Sequence, residues 1–300
     1  MKFHPPNKRM VLKNQTCAYC HRQFDEELRP EVEHVIGRRF VPRGTLANEW
    51  NLIVRSCRAC NARKAELEND ISAITMLPDE FGRFESHEVA SKEAIRKSST
   101  ISTRTGKPVA ESHESIEIQQ QLMPGVTIKA NMVGGPQIDT ERAFDLAFFH
   151  VAAFFYRITF DEKSRIGRPI PGVCAAAGLA RRSDWGNERM LAFQEMTSAW
   201  LPRVHGIAAG EYFKIIIRRH PEPDPCLWAW ALEWNRNYRL AGFFGDEEKA
   251  KTVVSALPRL KGWFAGEGVD KEGRPYRDTM RVDVPLADEE DHYFDPLPES

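Results

Sequence analysis

Two cysteine pairs with identical spacing carry the clearest chemical signal in this chain. Cys17-x-x-Cys20 and Cys57-x-x-Cys60 each resemble a two-thiolate knuckle. Two knuckles together predict a closed tetrahedral Zn²⁺ site. Such a zinc ion would have a structural role, because four sulfur ligands leave no open coordination position.

Between and beside the cysteine pairs lie residue types suited to phosphodiester hydrolysis. His34 is a candidate general base, because an imidazole with a pKa near ~6.5 accepts a proton at neutral pH. Glu33 and Asn61 offer oxygen ligands for a catalytic Mg²⁺ or Mn²⁺ ion, which would act as a Lewis acid. Neighbouring residues on a regular strand point to opposite faces, so Glu33 and His34 share a site only if the strand is irregular there.

The elements that must position these residues follow a β-loop-β-α order. Residues 31–36 and 50–54 are predicted to be extended, with a loop between them that contains Pro42 and Gly44. Residues 59–76 are predicted to be helical. The two cysteine pairs would close this unit around zinc.

The same residues resemble the HNH endonuclease family, in its zinc-knuckle ββα-metal form. The resemblance covers roughly residues 14–70 and is carried by Glu-His-Val-Ile at 33–36, Asn-Leu-Ile at 51–53 and Cys-Arg-Ala-Cys-Asn-Ala-Arg-Lys at 57–64. It implies His34 as the general base and Asn51 as the residue that braces the loop behind it. It also implies Glu33 and Asn61 as ligands of the catalytic metal ion and the four cysteines as zinc ligands. The nucleic-acid contacts expected in this reading are Arg38, Arg39, Arg63 and Lys64.

Charge is distributed unevenly along the chain. Residues 1–65 hold 13 Lys or Arg and 6 Asp or Glu, whereas the remaining residues hold 29 and 37. A basic N-terminal segment fits a phosphate-binding surface, although a solvated face would have the same composition. Charge alone does not separate the two, but the family resemblance implies nucleic acid as the partner, with DNA favoured over RNA.

Composition and length indicate a globular protein of about two domains. The chain has 300 residues, 42% of them hydrophobic, and contains no apolar run near the ~20 residues of a membrane-spanning helix. The N-terminus lacks the apolar core of a secretory signal, so a cytoplasmic location without membrane association is expected. Reduced thiols in that compartment favour metal ligation over disulfides.

The predicted fold class is α+β, with a nuclease domain at 1–78, a polar segment at 79–113 that is either a linker or a loosely packed helix and loop, and a second α+β domain at 114–300. In this second domain a hairpin is expected around Pro124-Gly125, and His150 is expected in the core of a helix. The remaining predicted elements are helices at 139–160, 186–201 and 247–257 and antiparallel strands at 212–218, 227–234 and 238–244. Trp228, Trp230 and Trp234 are expected to pack in the core from one strand.

The resulting hypothesis is a metal-dependent HNH-type endonuclease that cuts a phosphodiester bond, with DNA as the expected substrate. Two alternatives stay open: a zinc ribbon that binds nucleic acid or tethers a partner without hydrolysis, and an RNA nuclease. A nuclease joined to a sensing domain is typical of bacterial defence effectors, including those against phage, by fold-level analogy alone. Oligomeric state does not follow from the sequence.

Overall fold

The computed structural model describes residues 9–77, 88–112, 138–222, 226–260 and 283–295, together with the secondary structure of 114–123, 126–134, 268–269 and 275–276. In chain order its strands and helices are β1 (Met10–Val11), β2 (Pro30–His34), β3 (Leu52–Cys57), α1 (Arg58–Ile74), α2 (Glu88–Ser98), β4 (Glu114–Met123), β5 (Val126–Gly134), α3 (Thr140–Ile158), β6 (Val173–Arg181), α4 (Glu188–Ser198), β7 (Leu201–Ala208), β8 (Phe213–Arg219), β9 (Leu227–Trp234), β10 (Tyr238–Gly245), α5 (Glu247–Ala256), β11 (Gly268–Val269) and β12 (Pro275–Tyr276).

The chain forms two compact units. The N-terminal unit contains the described residues up to Pro169 together with Ile207–Phe213, and the C-terminal unit contains Ile170–Gly206 and the described residues from Lys214 onward. The first division therefore lies further along the chain than the predicted boundaries at 78 and 113.

The N-terminal unit is built on a three-stranded sheet in the order β1-β3-β2. Strand β2 pairs antiparallel with β3, so that His34 lies opposite Ile53. The central strand β3 is almost wholly buried, as its apolar residues Leu52 and Val54 require. Helix α1 follows β3 without a loop, which gives the predicted β-loop-β-α order.

Two further helices pack against α1 in this unit. Helix α2 lies within the polar segment predicted at 79–113, and it buries Ala90, Ala94 and Lys97. Helix α3 is capped by Asp139, whose side chain accepts a hydrogen bond from the Arg142 backbone N–H. Its buried face is long and apolar and packs against α1.

The C-terminal unit contains a five-stranded antiparallel sheet in the order β6-β10-β9-β8-β7. Every residue of β9 and β10 is buried, which includes the three predicted core tryptophans. Helices α4 and α5 cover this sheet through an apolar cluster that contains Phe193 and Phe243. The mixed α+β class is therefore confirmed for the protein.

A buried arginine joins the sheet of the C-terminal unit to the end of the described chain. Arg239 is wholly buried and pairs with Glu233 at 2.8 Å and with Asp291. Its guanidinium lies 3.6 Å from the centre of the Trp185 ring. Two carboxylates and an aromatic face thus compensate the cost of burying this charge.

The predicted elements agree with most of those observed, and five strands were missed: the two-residue β1, β11 and β12 and the longer β6 and β7. Strand β6 reads Val-Cys-Ala-Ala-Ala-Gly-Leu-Ala-Arg, and alanine and glycine have low strand propensity. Strand β7 was also not predicted. The Pro124-Gly125 turn lies outside the described residues. Among the described helices, none combines the length and hydrophobicity needed to cross a bilayer.

Candidate metal centre and surrounding site

The four predicted zinc ligands converge in the N-terminal unit. The sulfur atoms of Cys17, Cys20, Cys57 and Cys60 all lie within 4.8 Å of one another, and those of Cys20 and Cys57 are 3.8 Å apart. A tetrahedron with Zn–S bonds of ~2.3 Å has edges of about 3.8 Å. The four sulfurs therefore fit a structural zinc ion, with no disulfide among them.

The backbone around the first cysteine pair holds the knuckle in shape. The His21 N–H donates to the Cys17 carbonyl at 2.9 Å, and His21 adopts a positive φ of 60°. Asn14 is wholly buried and links this turn to β3, because its side chain bonds the Thr16 carbonyl and both polar groups of the Arg55 backbone. The sequence reasoning missed Asn14, which lies just outside the cysteine spacing.

The hydrogen bonds within the cysteine cluster favour the deprotonated form of at least one thiol. Hydrogen bonding from the Cys60 thiol lowers the pKa of Cys17 to about 4, even though burial acts in the opposite direction. The same contact raises the pKa of Cys60. The Cys57 N–H also points at the Cys17 sulfur at 3.3 Å. This anionic cluster matches the thiolate ligands that zinc requires.

His34, the predicted general base, lies at the end of β2 and is partly buried. Its Nε2 atom is 3.3 Å from an Nη atom of the exposed Arg38. Burial, followed by the positive charge of Arg38, lowers the pKa of His34 below its usual value. The ring is therefore neutral at pH 7 and able to accept a proton.

Asn51, predicted to brace the loop behind His34, makes two hydrogen bonds to one residue. Its amide nitrogen donates to the Ile36 carbonyl at 2.8 Å, and its amide oxygen accepts from the Ile36 N–H at 3.2 Å. Asn51 and Ile36 are both buried. The backbone that follows His34 is thus held in place at Ile36, two residues further along the chain.

Glu33, predicted to bind a catalytic metal ion, is engaged by a buried lysine. The Lys64 Nζ atom lies 2.8 Å from Glu33 Oε1 and 2.5 Å from Glu68 Oε1, and it also approaches the His34 carbonyl at 3.4 Å. Burial opposes the charge on Lys64, but Glu68 and Glu33 outweigh it and raise its pKa. Burial also raises the pKa of Glu68, which additionally accepts a hydrogen bond from the Gly37 backbone.

This environment differs from the one predicted for Lys64. The side chain is 1% exposed, so its ammonium group is enclosed between carboxylates instead of facing a phosphate. The difference arises because α1 packs on the face of β2 that carries Glu33. His34 is the last residue of β2, and its side chain lies on the opposite face of the strand.

The predicted ligands of a catalytic cation do not fit that group as they stand. Glu33 is paired with Lys64, whereas the Asn61 amide donates to Glu31 at 2.7 Å. A divalent cation on Glu33 would have to displace an ammonium ion. Within the described parts of the chain, the four cysteines form the one group of three or more His, Cys, Asp or Glu side chains suited to a metal ion.

The other predicted nucleic-acid contacts divide into two environments. Arg38 and Arg39 are exposed in the loop that follows β2. Arg63 bonds Glu66 at 2.6 Å and Asp145 at 2.9 Å, which connects α1 to α3. Arg63 therefore already has two carboxylate partners.

A basic cavity of about 920 Å³ lies beside His34 within the N-terminal unit. Its walls come from the β2–β3 loop, α1 and α2. The cations that line it are Arg9, Arg38, Arg39, Arg43, Arg96 and Lys97. Sequence reasoning identified Arg38 and Arg39 and missed the four other cations, two of which, Arg96 and Lys97, lie on α2.

Fold and site together define a class: a mixed α+β protein with a four-cysteine cluster suited to a structural metal ion such as zinc. No family model, no curated protein and no solved structure matches this chain.

Proposed function

We propose that the N-terminal unit is an HNH-type endonuclease that hydrolyses phosphodiester bonds in nucleic acid, with DNA as the first substrate to test. The observation that carries this proposal is the position of His34. It ends a strand of a β-loop-β-α element with a four-cysteine cluster, and it faces Arg38 at the edge of a basic cavity.

In this proposal His34 takes a proton from the attacking water as the water oxygen bonds to phosphorus. The bond from phosphorus to the leaving sugar oxygen breaks in the same step, and that oxygen takes up a proton from solvent. Arg38, 3.3 Å from the imidazole, is placed to neutralise charge on the phosphate oxygens. Asn51 acts as a positioning residue, because it holds the Ile36 peptide and so the direction of the chain behind His34. The cysteine cluster has no chemical step; it holds the end of β3 and the start of α1.

The test is a cleavage assay on plasmid DNA, with parallel RNA, in the presence of Mg²⁺, Mn²⁺ or EDTA. His34→Ala should reduce cleavage by ~10²–10⁴-fold, the usual contribution of a general base. The variant should keep its circular dichroism spectrum and its zinc content. His292→Ala, which removes an exposed histidine of the C-terminal unit, should cut like the wild type. Undiminished cleavage by His34→Ala would end the assignment.

One observation favours a second candidate function, a zinc-ribbon module that binds nucleic acid without cutting it. Glu33 is held by Lys64, and Asn61 is turned so that its amide nitrogen bonds Glu31, so Glu33 and the Asn61 oxygen do not form a ready ligand pair for a catalytic cation. The same assay separates the two functions. Ion-dependent nicking supports the nuclease, whereas retarded but intact DNA supports the binding module. Digestion of RNA with intact DNA would support the RNA nuclease instead.

A further inference from the structure

We propose that the cavity beside His34 binds the phosphate backbone of single-stranded or locally unpaired nucleic acid. This inference deepens the proposed function and rests on it for the role of His34. The binding site itself is argued from the charge, size and lining of the cavity.

The charge of the cavity is both high and available. Across the described residues, no carboxylate lies within ion-pair distance of four of the lining arginines: Arg9, Arg38, Arg39 and Arg43. Guanidinium groups that are not paired with a carboxylate bind phosphate oxygens through paired hydrogen bonds.

The two carboxylates in the lining do not neutralise these arginines. Glu68 is paired with Lys64 at 2.5 Å, and Glu93 is paired with Arg96. Each carboxylate is therefore matched by a cation of its own. Lys97 and Arg43 also act on Glu93 through their charge without an ion pair, and the arginines that remain leave a net positive charge that favours an anionic ligand.

The size of the cavity determines whether a single strand or a duplex can enter it. A compact space of about 920 Å³ is roughly 12 Å across, about the width of the major groove of B-DNA and therefore narrower than the whole duplex. A duplex cannot enter such a space without distortion. A single strand can, with several phosphates distributed along the arginines.

The lining also favours a polynucleotide backbone over a free nucleotide. Among the described residues that line the cavity, none is aromatic, and the apolar ones are small or aliphatic, such as Leu46 and Ala65. Proteins that hold bases usually stack them on aromatic rings, at about 1–3 kcal/mol per base. Binding here should depend on phosphates and little on base identity.

The fold holds this basic wall in place next to the proposed base. The Lys97 ammonium on α2 donates to the Arg39 carbonyl and to Ser72 Oγ at 3.1 Å, which ties the β2–β3 loop to two helices. Phe40, next to Arg39, is wholly buried. Arg38 both lines the cavity and contacts His34, so a strand bound here passes the imidazole.

The experiment measures binding without cleavage, in EDTA, by fluorescence anisotropy. The ligands are a labelled 20-nucleotide single-stranded DNA and the matching duplex, each over a series of KCl concentrations. Wild type should prefer the single strand. The double variant Arg39→Ala/Arg43→Ala should weaken single-strand binding about tenfold. It should also reduce the slope of log K against log salt by roughly 1.4, since each lost phosphate contact removes ~0.7.

The matched control is Arg168→Ala, which removes an exposed arginine of the same unit outside the cavity. It should retain wild-type affinity and slope. Equal affinity and slope in the double variant and this control would overturn the inference, as would tighter binding of the duplex. The inference would also be overturned if ATP competed with the strand for the wild type but not for the double variant, while the double substitution itself left strand binding unchanged.

These outcomes are separate from those of the cleavage assay. If the wild type cuts no nucleic acid but shows the arginine-dependent preference for single strands, the nuclease proposal fails and the cavity assignment stands. If His34 proves essential for cleavage but the double variant binds normally, the cavity assignment fails alone.

Discussion

At the scale of single residues, one buried amide controls the backbone behind the proposed base. Asn51 satisfies both the N–H and the C=O of Ile36, and no solvent reaches this pair. Removing a partner from a buried polar group costs about 1–3 kcal/mol for each group left unsatisfied. Asn51 should therefore matter for stability as well as for the position of His34.

We expect Asn51→Ala to lower the free energy of unfolding by about 2–4 kcal/mol, because two backbone groups lose their partner. Urea unfolding followed by circular dichroism measures this loss. Asn48→Ala is the control, since Asn48 is exposed in the same loop. A change of under ~0.5 kcal/mol in Asn51→Ala, equal to the control, would contradict the bracing role.

A second residue, Lys97, has an unusual ionisation. It is 5% exposed, and burial lowers its pKa to about 8. The carboxylates of Glu93 and Glu68 favour its charged form, whereas Arg96 and Arg39 oppose it. No carboxylate in the described structure lies within ion-pair distance of its ammonium group.

The lowered pKa of Lys97 predicts how stability depends on pH. The unfolded chain binds this proton more tightly, so the charged lysine costs stability below pH 8, and the cost disappears as pH rises from about 8 to 10.5. The free energy of unfolding of wild type relative to Lys97→Met should rise by roughly 2–3 kcal/mol over that window. Urea unfolding at several pH values tests this expectation. Lys92→Met, on the exposed side of α2, should show no such trend, and a flat Lys97 difference would refute the prediction.

The residues that could be predicted from sequence are those whose spacing alone defines a chemistry. The four cysteines belong to this group, and their convergence bears out the expectation of a metal site. Glu33 and Lys64 do not. Their pairing depends on which face of β2 meets α1, and that choice is made by tertiary packing. His150 was expected in the core and is wholly buried.

At the scale of elements, the cysteine cluster joins a turn, a strand end and a helix start. Cys57 ends β3 and is the residue before α1, and Cys60 lies in the first turn of that helix. The first turn of α1 has no side-chain cap and no acidic residue. At this helix start a sulfur contact comes from Cys17, whose Sγ accepts from the Cys57 N–H at 3.3 Å.

We predict one zinc ion per chain and a loss of structure when it is removed. Cys60→Ala should lower zinc content well below one per chain and expose β2, β3 and α1 to hydrogen exchange, because bound metal contributes directly to folding. Elemental analysis and exchange mass spectrometry provide the two measurements. Cys226→Ala is the matched control, since Cys226 lies in the C-terminal unit outside the cluster. Full zinc content in Cys60→Ala would refute the four-sulfur site.

Elements with strong periodicity were predicted well, and those with weak local signals were not. Helix α3 was expected at 139–160 and spans Thr140–Ile158, because its apolar residues repeat with helical spacing. Strand β6 is rich in alanine and becomes a strand only through its pairing with β10. Helix α2 lies in a Ser- and Lys-rich stretch, and no hydrophobic periodicity in that stretch indicates that Lys97 is buried.

At the scale of the whole molecule, the chain contributes to its N-terminal unit twice. Ile207–Phe213 returns to that unit after the chain has begun the C-terminal one. Within the unit, the Trp50 indole donates to the Ile207 carbonyl at 2.7 Å, and Phe213 is wholly buried against His150 and Phe154. The N-terminal unit is therefore incomplete without residues that come late in the sequence.

We expect Phe213→Ala to destabilise the N-terminal unit by about 3–5 kcal/mol, the usual cost of removing a buried phenylalanine. The loss should appear as faster hydrogen exchange in α3, although position 213 is distant from that helix in sequence. Phe148→Ala, on the exposed face of α3, is the control and should change exchange little. Unchanged protection of α3 in Phe213→Ala would show that the returning segment does not support this unit.

The contact between Gly37 and Glu68 determines which sequences this loop can tolerate. A β-carbon at position 37 would lie 2.5 Å from a Glu68 carboxylate oxygen, so that carboxylate would have to move out of its contact with Lys64. Alanine is therefore disfavoured by lack of space and not by backbone conformation. In a saturation library, alanine at 37 should be recovered only alongside a shorter residue at 68, so that the two positions would be inherited as a pair.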